Sequence, residues 1–224
     1  FKGKFEWAID YYKSMAKKLN ITMKLGKEVT AQEVLALKPY SILVATGSNV
    51  ISIPLEGLDQ VQTVQAHDVL ANDMQFANKK VVVIGGGITG LETALYINRQ
   101  GTNQVSVVDM LPEWPVDMLD MRYQNEALLE VRHCNDQGVA LFYNNKVVKF
   151  ADGKLFIEST KDGEAKALPA DVIVLSVGVK PNDALWQELL ASGHPSVWKA
   201  GDAIATGKIN KAVLHGSKFG YSLN

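Results

Sequence analysis

The sequence predicts an α/β fold in which helices flank a parallel sheet and an antiparallel three-stranded meander is added. Three observations lead there. Residues 81–84, Val-Val-Val-Ile, form an unbroken apolar run that enters a glycine-rich turn and then a helix-length stretch. A second apolar run over 104–109 follows and ends in an acidic residue, Asp109. Further on, Asp152-Gly153 and Asp162-Gly163 punctuate β-rich segments in the manner of hairpin turns.

In chain order, Ile9, Tyr12, Met15, Ala16 and Leu19 recur at helical spacing over 5–19, with Lys13, Lys17 and Lys18 on other faces. Asn20 hands over to Ile21-Thr22-Met23-Lys24-Leu25, which alternates as a short strand. Thr30 followed by Glu33 predicts a capping box for a helix through Leu37, stopped by Lys38-Pro39. Residues 41–46 read as a buried strand ending at Gly47, residues 48–62 as a connection, and 66–72 as a helix. The central unit then offers strand 80–84, helix 88–100, strand 104–109, a loop at Pro112 and Pro115, helix 122–136 and strand 139–143. Segments 147–151 and 154–158 flank the first Asp-Gly pair, and a third short strand follows the second; type I′ turns match the twist of such strands. Residues 171–177 read as a buried parallel strand. A helix near 184–190, a short strand at 197–198 and a helix over 210–221 complete the chain.

The glycine-rich turn carries the chemistry. Gly85 permits the tight turn off the strand, and Gly87 lets the backbone approach a pyrophosphate. Gly90 lets the next helix pack close to the sheet, and the helix N-terminus presents free amides to the phosphates. Asp109 stands where a carboxylate accepts both hydroxyls of an adenine ribose. A lone GxGxxG says little; strand, glycines, helix and acidic strand end in this order define a Rossmann-like NAD(H)-binding unit. The bland alternative is a glycine-rich turn in some other α/β domain. A carboxylate at Asp109 repels a 2′-phosphate, and Met110-Leu111-Pro112 supplies no cation, so NADH is expected over NADPH. The candidate contacts are Gly85, Gly86, Gly87, Ile88, Thr89, Gly90, Asp109 and Met110.

The bulk numbers exclude several classes. With 23 basic and 24 acidic residues, nothing favours nucleic acid or an anionic membrane surface. No apolar run reaches the roughly 20 residues that span a bilayer. The opening Phe-Lys-Gly-Lys-Phe-Glu-Trp has no apolar core of a signal peptide. Cys134 is the single cysteine, which excludes a disulfide framework or a CxxC pair and reads as a structural thiol. His67, His133, His194 and His215 show no metal-ligand spacing. Trp114, in the Pro112–Pro115 loop, either covers the nucleotide or packs against it, and packing is the expectation. No catalytic residue and no metal ligand is assigned, because in hydride transfer the cofactor does the chemistry. A cytoplasmic location is expected.

The order of these pieces resembles the two-dinucleotide-binding-domain flavoprotein reductases, in which an NAD(H) domain is inserted into an FAD domain. Ile42-Leu-Val-Ala-Thr46-Gly47 is similar to the family's strand before the outward crossing. Val177-Gly178-Val-Lys-Pro181-Asn182 is similar to the return crossing. Ala200-Gly201-Asp202 is similar to the second FAD motif, whose aspartate meets the ribitol and pyrophosphate end of the flavin. The resemblance implies a partial FAD-binding domain over 1–78 and 178–224 and an NAD(H) domain over 79–177. It adds Thr46, Gly47, Gly178, Gly201 and Asp202 to the candidate cofactor residues. It also adds Glu92, matching a glutamate that the family places near the nicotinamide. Glu92 has a second reading, a carboxylate in the first turn of a helix near the positive dipole end.

The opening, Gly3-Lys-Phe-Glu-Trp-Ala-Ile-Asp-Tyr-Tyr-Lys-Ser-Met-Ala-Lys-Lys-Leu19 and then Ile21 to Leu25, resembles the C-terminal half of the Old Yellow Enzyme-related NADH:flavin oxidoreductases. That group includes 2,4-dienoyl-CoA reductase, enoate reductase and trimethylamine dehydrogenase. It joins an FMN-bearing (β/α)₈ barrel and a 4Fe-4S cluster to such a half, so the resemblance implies hydride passing from NADH to FAD and electrons onward to FMN. The departures are clear: no GxGxxG precedes Ile42, and neither barrel nor cluster cysteines are present. The chain is therefore expected to be a truncated piece, inactive alone, purifying without FAD, and completed by a homodimer or swapped oligomer. Rival readings are a non-catalytic nucleotide-binding or sensing module, and a fragment of a stand-alone pyridine nucleotide-dependent flavoprotein reductase.

Overall fold

The apolar run at 80–84 does what its composition dictates: with both faces lined by Val and Ile it becomes the middle of a parallel sheet. A computed structural model describes residues 4–112 and 121–223. In chain order the first elements are α1 (Lys4–Lys18), α2 (Ala31–Ala36), β1 (Ile42–Val44), β2 (Ser48–Val50), β3 (Gln62–Gln65) and α3 (Ala66–Ala71). Then come β4 (Lys80–Ile84), α4 (Ile88–Asn98), β5 (Gln104–Val108), α5 (Met121–Asp136) and β6 (Ala140–Phe142). The last are β7 (Asn145–Ala151), β8 (Lys154–Ser159), β9 (Ala165–Pro169), β10 (Val172–Leu175), β11 (Val179–Pro181), α6 (Ala184–Ala191), β12 (Val197–Lys199) and α7 (Ile209–Ser222).

The large sheet has the order β3-β10-β4-β5-β6, parallel throughout. On one face Val81, Val83, Val105, Val107, Val172 and Val174 pack against Ala66 and Val69 of α3, Leu91 to Ile97 of α4, and Val131 and Cys134 of α5. On the other, Val82, Ile84, Val108, Ile173 and Leu175 pack against Phe150, Leu155 and Ile157. Those three belong to the meander β7-β8-β9, which roofs the sheet. This is the α/β architecture expected, a parallel sheet sandwiched between helices and an antiparallel meander.

A smaller unit stands beside it. β1 and β12 pair in parallel, with Ile42 opposite Val197 and Val44 opposite Lys199. Ala31, Ile42, Val44 and Leu189 form its buried core, against which Trp186 and Val197 pack. Between the two units the chain crosses twice, and the crossings are themselves paired: β2 and β11 form an antiparallel ladder, Val50 opposite Val179 and Ser48 opposite Pro181.

Four expectations change. Residues 21–25 form no strand; Ile21, Met23 and Leu25 are exposed, because β1 pairs only with β12 among the described strands and offers them no neighbour. β3 and α3, placed before residue 79 in the sequence reading, lie in the large sheet and its core, so that unit takes in residues from 62 on. Gln-Thr-Val-Gln has no apolar run to announce it, since β3 is an edge strand. The crossings, whose pairing the sequence did not announce, form a ladder of their own. Asp152 (φ 51°) and Gly153 (φ 70°) are both left-handed, as a type I′ turn requires, but at the second pair only Gly163 (φ 76°) is. That second loop is the longer 160–164 connection, closed by Gly163 N–H donating to Ser159 O at 3.0 Å. Trp114 and Pro115 lie outside the described residues.

Candidate dinucleotide-binding site

Each fingerprint glycine has its own steric reason. Gly85 leaves β4 at φ 110°, and a Cβ there would lie 2.2 Å from Ser176 O. At Gly90 a Cβ would lie 1.9 Å from Gly85 O, so α4 packs against the turn at a distance only glycine permits. At Gly86 it would meet the Tyr143 ring at 2.8 Å and Asp109 Cβ at 3.2 Å. Gly87 differs: nothing lies within 4 Å of its Cβ position. It is the N-cap of α4 and makes no side-chain cap, so the first amides of the helix face open space without an intrahelical partner. Ile88 and Thr89 begin that helix, and Thr89 lines a cleft with Gly87. These are the features an anion needs at a helix N-terminus.

Asp109 ends β5 next to the turn and is locked in place. Gly86 N–H donates to Asp109 Oδ2 at 2.6 Å, and Leu111 N–H donates to Oδ1 at 2.8 Å. Each oxygen keeps a further lone pair for a ligand hydroxyl. Its backbone is held from both sides, by Phe142 O at 3.0 Å and by the Asn145 N–H at 2.9 Å.

Two clefts meet at Gly87 and Gly178. One, of about 580 Å³, holds Gly85, Asp109 and Met110 together with Ile51, Asn145 and Lys146. The other, of about 330 Å³, holds Gly87, Ile88 and Thr89 together with Gln65, His67 and Lys208. Fingerprint and acidic strand end thus share one cavity system. Sequence reasoning missed Ile51, Gln65, His67, Tyr143, Asn145, Lys146, Ser176 and Lys208. None lies at a motif spacing; they arrive through the crossings, the β3–α3 junction, the segment from β6 into β7, the end of β10 and the start of α7.

The residues assigned to a flavin sit elsewhere and are engaged with one another. The Thr46 hydroxyl donates to Asn182 O, and Asn182 N–H donates to Gly47 O at 3.0 Å. Asp202 accepts from Gly207 N–H at 3.0 Å and from the Ser48 hydroxyl at 3.4 Å. Gly201 (φ 59°) donates to His215 Nδ1 at 3.2 Å. Gly178 (φ 94°) faces Ile51 across the ladder. By themselves these residues fasten the two crossings together and offer no phosphate cradle, because the sequence holds one GxGxxG. The NAD(H) residues fit their group; the FAD residues alone do not.

Glu92 is buried in the second turn of α4 rather than exposed in the first, so a dipole role at the helix start does not explain it. Cys134 is fully buried, and desolvation pushes its thiol up to about 12, with Glu130 adding to the rise. Among the described residues no cluster of His, Cys, Asp or Glu could hold a metal ion, and no helix is long and apolar enough to cross a membrane.

Comparison with known proteins agrees with this geometry. The family described as pyridine nucleotide-disulphide oxidoreductase matches over residues 9–214. An NADH oxidase of Thermoanaerobacter brockii is 29% identical over 230 residues, covering 99% of this chain and 34% of that protein. A bilirubin reductase of Mediterraneibacter gnavus is 32% identical over 181 residues, covering 81% of this chain and 27% of that one. A 2-naphthoyl-CoA reductase structure superposes with a TM-score of 0.82 at 28% identity, over 96% of this chain and 32% of its own. Histamine dehydrogenase of Rhizobium sp. 4-9, at 21% identity and a TM-score of 0.72 over 86% of this chain and 32% of its own, shares the fold. The chain spans about a third of the length of such relatives. Because the family match runs unbroken through the fingerprint, the meander and both paired crossings, this chain belongs to the pyridine nucleotide-disulphide oxidoreductase family.

Proposed function

We propose that this chain is the NADH-binding electron-input module of a larger flavin-dependent oxidoreductase of the Old Yellow Enzyme-related group. The observation that carries the reading is the open Gly87 face at the uncapped start of α4, with Asp109 fixed in the same cavity system. When bound, NADH supplies a hydride and FAD accepts it, with FMN and a 4Fe-4S cluster in an N-terminal (β/α)₈ barrel as the onward route. This chain's own residues bind and orient the dinucleotide. The amides of Ile88, Thr89 and Gly90 face the pyrophosphate, Asp109 takes the adenosine ribose, and the cleft of His67 and Lys208 receives the nicotinamide end. The relatives are named for different substrates, bilirubin and 2-naphthoyl-CoA, over a shared segment of this kind. That supports a substrate chosen outside it.

Calorimetric titration tests the reading: NADH is expected to bind more tightly than NADPH, and Asp109→Asn to narrow the gap. Equal affinities in the unaltered chain would take Asp109 away from the ribose. A second reading, a nucleotide-binding module without redox turnover, is favoured by the internal hydrogen bonds that occupy Thr46 and Asp202. NADH-driven bleaching of bound flavin in a longer protein carrying this segment separates the two. This segment itself supplies no disulfide-exchanging pair, since Cys134 is its single cysteine and is buried.

A further inference from the structure

The adenosine cleft contains a cation that lies 37 positions from Asp109 in sequence yet beside it in space. Asn145 N–H donates to the Asp109 carbonyl at 2.9 Å, so β7 starts against the acidic strand end, and Lys146 lines the same cleft as Asp109. Lys146 does not stand alone there. It lies directly opposite Glu158 in the β7–β8 ladder, and its ammonium donates to Glu158 Oε1 at 2.7 Å. The pair is part-exposed, 50% and 38%, so neither charge is buried and the contact can exchange partners.

An ammonium at this place is the group a ribose 2′-phosphate would seek, and a carboxylate already holds it. We infer that Glu158 is a positioning residue for nucleotide choice: by tying up Lys146, it withholds from NADP(H) the cation that would offset repulsion by Asp109. Discrimination against the 2′-phosphate then comes from two carboxylates. Asp109 acts directly and Glu158 acts through Lys146. The inference rests on the adenosine reading of this cleft given above.

The test is titration of the full chain with NADH and NADPH in low and moderate salt, for Glu158→Gln, Lys146→Met, the double variant and Asp109→Asn. Glu158→Gln should tighten NADPH about two- to fivefold, the range an exposed ion pair supplies. NADH should be unchanged, and the gain should shrink with salt. The gain should vanish in the double variant, where no cation is left to be released. A merely structural role for Glu158 would move both nucleotides together and would be insensitive to salt. If Glu158→Gln leaves NADPH unchanged while Asp109→Asn tightens it, the role of Glu158 is overturned and the ribose site stands. If Asp109→Asn also changes neither nucleotide, the adenosine reading itself falls, and this inference with it.

Discussion

A methyl group at Gly90 would sit 1.9 Å from the Gly85 carbonyl oxygen, whereas at Gly87 it would meet nothing within 4 Å. The same residue type therefore serves packing at one position and ligand approach at the other, and substitution separates them. Gly90→Ala should lower stability by about 1–3 kcal/mol or more, because backbone must move to relieve the overlap. Gly87→Val should leave the thermal midpoint close to that of the unaltered chain and abolish NADH binding. A Gly87→Val protein that folds and binds NADH normally would remove this turn from the site. Cys134 offers a second test. Its thiol is raised from 9.0 to about 12 by burial, so it should resist thiol reagents in the native protein and react only on unfolding. The folded thiol holds its proton while the unfolded one loses it. Stability from this group is thus complete below pH 9 and declines as pH rises toward 12, which chemical denaturation at several alkaline pH values would show. Of these residues the glycines and Asp109 were legible in sequence because a local motif fixes their order. Tyr143, Lys146 and His67 were not, since only tertiary packing brings them to the turn.

Among the elements, local rules succeeded where the determinant is local. The capping box forms as read: Glu33 N–H donates to Thr30 Oγ1 at 3.3 Å and Thr30 N–H to Glu33 Oε2 at 3.0 Å. Asn20 in the left-handed region ends α1, with Ile21 N–H reaching back to Ala16 O at 2.9 Å. Thr30→Ala should cost about 1 kcal/mol, read by denaturant unfolding; no loss would mean that α2 is held by its packing in the small core alone. Alternation failed at 21–25 because a period-2 pattern describes a strand only when a neighbour exists to pair with it. It failed again at β2 and β11, three-residue strands whose pairing joins segments about 130 positions apart and leaves no periodic trace.

The two units of the molecule differ in how much they bury, and this sets the last prediction. The five-stranded sheet is covered on both faces, its central residues Val83, Val108, Val172 and Val174 fully enclosed. The β1–β12 unit has four buried hydrophobic residues in its core, and α1 has no buried side chain among its described residues. Trp7 is 72% exposed, Ile209 66% and Leu25 82%; with Phe5, Leu214 and Tyr221 they leave apolar surface in water on α1, α7 and the 21–25 segment. Apolar surface left in water on this scale favours association. Opening free energies follow burial, so amide exchange should be slowest in β4, β5 and β10, intermediate in β1 and β12, and fastest in α1 and 21–25. Light scattering should show mass rising with concentration, as the exposed faces cover one another in dimers or exchanged pairs. Since Thr46 and Asp202 serve internal bonds and the described residues include no second phosphate cradle, the purified chain should lack flavin absorbance. A yellow monomer with α1 as well protected as the sheet would mean that α1, 21–25 and α7 find partners within the chain itself. The apolar faces would then be an internal core, and the division into a covered unit and an uncovered one would be wrong.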